Sequence, residues 1–273
     1  MKRRKFLTTA VSVSGFSFLG MHALVSPDDS GRKGNVLAGG PLIKSLKLQT
    51  ACPPAELKKF YAETIGLRIA SESKNEITVM GGETPISFEF INQNGYRPFY
   101  HFAFNIPENK IQKAFEWQRK RTPVAGLFPD APKDAITSFV NWNAHSIFFI
   151  DPAGNLVEYI ARHDLKNAAD GDFSTNDILY ASEIALITDD IENDGKKILQ
   201  NLDLTEYRPA VPGFWPIGSE LGLLIMIEKG RLWSGNPGQE NKTDIFETTV
   251  TLNKKIKDKN LILTNRPYSI NGI

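Results

Sequence analysis

Apolar and polar positions alternate from Ile43 to Thr50, so that Leu46 and Leu48 fall on one side and Lys47 and Gln49 on the other. A period of two predicts a strand with one face buried. From about Pro54 to Ile65 the period lengthens. Leu57, Phe60, Tyr61 and Ile65 recur at helical spacing, and Gly66 stands where a helix C-terminus takes a left-handed residue. Three short strand-like runs follow, Leu67 to Glu72, Glu76 to Met80 and Pro85 to Ile91.

The same order recurs twice. A strand over Tyr100 to Ile106 precedes a helix over about Glu108 to Lys120, which presents Ile111, Ala114, Phe115 and Gln118. Beyond a Pro-rich loop come Ile147 to Ile150, a turn at 151–155 and Leu156 to Ala161. The third copy opens with Ala181 to Ile187 and a helix over Ile191 to Leu202. Strands near Glu206, near Phe214 and over Gly222 to Ile227 complete it, and Phe246 to Leu252 would start a truncated fourth.

A βαβββ unit cannot bury its own sheet face, so each copy needs the strands of a neighbour. The expected fold is α+β: paired βαβββ modules forming a curved, cup-like sheet with helices outside. The boundaries that follow are 1–40 for a leader and linker, 41–163 for two modules, 177–253 for a third, degenerate module and 254–273 for a C-terminal tail.

With 41% hydrophobic residues in 273, the chain has ample material for a core. Its 32 Lys and Arg against 31 Asp and Glu leave a net charge of +1, with no sustained basic patch beyond the extreme N-terminus. Nucleic acid is therefore not an expected partner, and a small-molecule ligand is. Cys52 is the single cysteine, which excludes an intrachain disulfide and a thiolate-rich metal site.

Lys2-Arg3-Arg4-Lys5-Phe6-Leu7 is followed by an uncharged run to about Val25, broken at Ser26-Pro27-Asp28-Asp29. These are the parts of a secretory signal. The Arg-Arg-x-Phe-Leu order resembles a twin-arginine signal, which implies engagement with export machinery and a periplasmic or extracellular location.

Two motifs carry a family resemblance. Phe60-Tyr61 followed by Ile65-Gly66-Leu67, and Phe148-Phe149-Ile150-Asp151-Pro152-Ala153-Gly154-Asn155-Leu156-Val157-Glu158, lie in order and one module apart. They resemble the helix end and the late hairpin of the vicinal-oxygen-chelate superfamily, which includes glyoxalases, bleomycin-resistance proteins and extradiol dioxygenases. The resemblance covers roughly residues 42 to 162. It implies a cup holding a divalent metal (Fe, Mn, Zn and Ni are not distinguished) on ligands from the first and last strands of each module. Carried over by position, the ligands fall on His101, Glu158 and Glu89. The remaining position falls near Ser45, where no ligand residue stands, and this departure weakens both a glyoxalase-type and an extradiol-type reading. Glu183 holds the first-strand position of the third module and is read as belonging to a different site.

Lys47, Gln49 and His145 are the candidates to contact substrate, and Phe148 to line an apolar wall. The expected function is a metal-dependent lyase, isomerase or dioxygenase on a small oxygen-bearing substrate. The alternative is a metal-free protein that binds or sequesters a small molecule. Because the superfamily often pairs modules between subunits, a homodimer is also expected.

Overall fold

The structure, a computed structural model, describes residues 42–235, 241–257, 263 and 266–273. The leader expected over 1–40 lies outside the described residues. Fifteen strands and three α-helices are found among the described residues. The first module holds β1 (Ile43–Thr50), α1 (Pro54–Lys58), β2 (Ile69–Glu72), β3 (Glu76–Gly81) and β4 (Thr84–Phe90). The second holds β5 (His101–Ile106), α2 (Ile111–Arg119), β6 (Thr137–Phe139), β7 (Ala144–Ile150) and β8 (Leu156–Arg162). The third holds β9 (Tyr180–Thr188), α3 (Ile191–Leu202), β10 (Phe214–Ser219) and β11 (Gly222–Glu228). A ribbon of β12 (Leu232–Trp233) and β13 (Asn241–Lys242) leads to β14 (Thr248–Leu252) and β15 (Tyr268–Gly272).

The mixed α+β fold with curved sheets is the expected one, but the partnering of modules is not. The first module does not share a sheet with the second. Its β1 lies between β4 and β14, in a six-stranded sheet ordered β15-β14-β1-β4-β3-β2. The second module pairs with the third, in a seven-stranded sheet ordered β10-β11-β9-β5-β8-β7-β6. The chain thus nests one pair of modules inside the other. The run beginning at Phe246 supplies β14, which pairs with β1 of module one. The tail expected beyond residue 253 supplies β15, parallel to β14.

Local sequence explains the elements. Gly66 takes φ 91° and ends the first helix as expected, although the helix widens into a π-helical turn over Lys59–Ile65. The second helix starts at Ile111 rather than Glu108, because the amide of Lys110 turns back to the carbonyl of Pro107. The strand expected near Glu206 is a single bridge to Ile217.

One core joins the two sheets. Leu46, Leu48, Ile86 and Phe88 of the first sheet and Phe102, Val157, Ile184 and Leu224 of the second meet Leu57, Ala114 and Ile198 of the helices. The opposite face of the first sheet is polar, carrying Lys47, Gln49, Thr78, Ser87 and Glu89. The opposite face of the second is lined by its own apolar cluster, including Phe148, Leu156, Ala185, Ile225 and Trp233.

The Asp-Pro-x-Gly-Asn turn fixes the edge of the site. The carboxylate of Asp151 accepts from the backbone amide and side-chain amide of Asn155 and from the Tyr61 hydroxyl at 2.7 Å. The side-chain Oδ1 of Asn155 in turn accepts from the Tyr100 amide, at 2.8 Å. The motif therefore staples helix, hairpin and the start of β5 together, immediately before His101.

Candidate metal centre

Register builds the site. On β5, His101 and Ala103 point to one face because strand side chains alternate. Ala103 is the pairing partner of Glu158 on the parallel strand β8 and of Glu183 on the antiparallel strand β9. The small alanine between them lets both carboxylates converge on the imidazole. His101 Nε2 lies 3.3 Å from Glu158 Oε2 and 3.8 Å from Glu183 Oε2. The three residues are 6%, 3% and 2% exposed. Among the described residues this is the one group of His, Cys, Asp and Glu whose ligand atoms all fall within 4.8 Å of one another.

The donor set fits a divalent ion. His101 Nδ1 is 3.0 Å from the carbonyl of Leu156, so an Nδ1–H donates there and Nε2 is the atom turned toward the carboxylates. Donors bound about 2.1 Å from one ion sit roughly 3.0–3.4 Å apart, close to the spacings found. Without an ion, burial works against the imidazolium, but the hydrogen bonds it donates to Glu158 and Glu183, with the charges of those carboxylates, outweigh burial and hold His101 up at about 10. Burial first, then the neighbouring Glu183, raises Glu158 above the usual carboxylate range.

Arg162 closes the cluster. It follows Glu158 and Ile160 on the same face of β8 and is buried. Its Nη2 pairs with Glu183 Oε1, and its Nε donates to Asn105 Oδ1 at 3.2 Å. The rings of Trp142 and Tyr207 lie 5.6 Å from its guanidinium carbon. Glu183 thus turns one oxygen to His101 and the other to Arg162.

The structure brings together two of the three sequence-derived ligands, His101 and Glu158. Glu89 does not join them. It stands on the other sheet, where Lys47 bridges it at 3.3 Å and Glu76 at 3.0 Å. Lys47 and Gln49 share that open face, and the Gln49 side-chain amide donates to Glu247. Phe148 does line the cup, with its ring 6.3 Å from that of His101. His145 has the opposite strand parity and turns away from the cup. It meets His163 at 2.8 Å, with Glu108 3.4 Å beyond.

Sequence reasoning set Glu183 aside and missed Arg162. Pairing the second module with the third would have put Glu183 opposite Glu158. The i, i+4 parity from Glu158 would then have flagged Arg162.

No family model matches the chain, and no curated protein matches its sequence. Among solved structures, a Bacillus subtilis protein described as a dioxygenase is similar over 79% of this chain and 71% of its own, with 13% identity and a TM-score of 0.52. Glyoxalase I from Zea mays aligns over 78% of this chain and 75% of its own, with 14% identity and a TM-score of 0.45. A glyoxalase/bleomycin resistance protein/dioxygenase from Alicyclobacillus acidocaldarius covers 44% of this chain and 91% of its own, with 16% identity and a TM-score of 0.32. The first of these shows the fold that this chain shares.

Proposed function

We propose that the cup of the second and third modules holds a divalent metal on His101, Glu158 and Glu183 and acts on a small oxygen-bearing substrate. The observation that carries this reading is the convergence of three buried ligand atoms on one point, with the imidazole tautomer set by Leu156. When bound, the ion would supply Lewis-acid polarisation of a carbonyl or stabilisation of a developing enolate or alkoxide. The chain's residues do the rest. Ala103 keeps the approach clear, Arg162 orients Glu183, and the aromatic walls exclude water. Because His101 holds a proton in the metal-free protein, binding one ion releases about one proton, so affinity falls as the pH falls. The Arg-Arg-x-Phe-Leu start supports export of the chain, which fractionation of a tagged protein checks.

The test is elemental mass spectrometry on protein purified without chelator. Near-stoichiometric metal in the parent, lost in His101→Ala, Glu158→Ala and Glu183→Gln, supports the reading. Glu89→Ala loses metal only if the other sheet contributes. A parent that stays empty after reloading overturns it.

One observation favours a second reading, a metal-free binding protein. Protonated His101 and Arg162 together balance the charges of Glu158 and Glu183, so the quartet is neutral without an ion. The same measurement separates the two.

A further inference from the structure

Arg162 has donors left over. Of its three nitrogens, Nε serves Asn105 and Nη2 serves Glu183. Nη1 is fully buried and has no hydrogen-bond partner. The Tyr207 hydroxyl, on one of the two rings that wall the guanidinium, is also buried without a partner. Buried donors of this kind are seldom left unpaired, least of all on a cation, so their gathering at one place points to a ligand group.

Charge names the kind of group. A divalent ion on Glu158 and Glu183 leaves those three neutral, with His101 deprotonated to bind it. Arg162 then contributes one uncompensated positive charge, and guanidinium stays charged at any working pH. A ligand that stays uncharged would leave that charge bare, a dianion would overshoot, and a monoanion restores balance. Guanidinium matches a planar carboxylate in particular.

We infer that the cup takes a small 2-oxo or 2-hydroxy monocarboxylate, its carboxylate held by Arg162 Nη1 and Tyr207 Oη and its adjacent oxygen turned to the ion. This rests on the metal reading for the second oxygen, but the carboxylate preference belongs to Arg162 and Tyr207 alone. Arg162 is in this sense a specificity-determining residue as well as a positioning one.

The experiment compares pyruvate with its uncharged analogue pyruvamide by calorimetry, on full-length protein with measured metal content, both metal-loaded and chelator-treated. Pyruvate is expected to bind at least tenfold tighter. Arg162→Lys keeps a cation beside Glu183 but removes the second arm of the fork, and should bring pyruvate down to the level of pyruvamide. Tyr207→Phe should cost several-fold more for pyruvate than for pyruvamide, leaving metal content unchanged. Equal binding of the two probes, no binding of either, or a preference that survives both variants would overturn the inference. A protein that takes up no metal yet keeps an Arg162-dependent preference for pyruvate upholds the carboxylate site and sinks the metal reading. A metal-bearing protein without that preference does the reverse.

Discussion

The two sheets carry similar charged residues on matching faces and treat them in opposite ways. On the first, Lys47 bridges Glu76 and Glu89 with side chains 36–46% exposed. On the second, His101, Glu158, Glu183 and Arg162 are removed from water almost completely. Solvent screens the first set, so its members are nearly independent. Burial makes the second set interdependent, because removing one member leaves another charged and unpaired. What distinguishes a candidate site from an ordinary polar surface here is the depth of the residues rather than their type.

The largest break of this contrast is Arg162→Ala, which leaves the Glu183 carboxylate buried without its cation. It should destabilise the fold by about 3–5 kcal/mol in urea unfolding. A loss below about 1 kcal/mol would mean that the interior is wetter than its burial indicates.

The pH dependence of the metal-free protein comes next. His101 titrates near 6.5 when unfolded and about 10 when folded. Its contribution is therefore complete below 6.5 and is lost as the pH rises through 10. The raised Glu158 acts in the same direction. The melting temperature should fall between pH 7 and 10 in the chelated protein and stay flatter in His101→Gln. Identical slopes would refute this assignment.

Smaller again is Tyr61→Phe, which removes a buried hydrogen bond to Asp151 and should cost about 1–3 kcal/mol. Metal uptake should persist if the hairpin is a staple and not a ligand shell. Smallest is Lys47→Ala. Exposed pairs are worth about 0–1 kcal/mol, so a larger change in chemical denaturation would show that the first sheet's polar face has a role of its own.

The repeats made the elements legible, since strand and helix periods differ and each copy declares itself. His101 and Glu158 were legible because their motifs flank them. Which module meets which was not. Pairing is set by contacts far apart in sequence, such as Leu46 with Val250, and no local pattern records them. Glu89 lies apart from His101 for the same reason, since its parity on β4 puts it on the polar face of the other sheet. Arg162 escaped for a related reason, since its partners Asn105 and Glu183 lie on two other strands.

The nesting of modules also dictates a schedule for synthesis. Every strand of the seven-stranded sheet lies between residues 101 and 228, so that sheet can assemble while the ribosome is still working. Strand β1, made before any of them, keeps an open edge until residues 248–252 emerge to cover it. A nascent chain stalled short of that point carries a finished cup beside an unfinished sheet, with Leu46 and its neighbours in reach of any other unpaired strand.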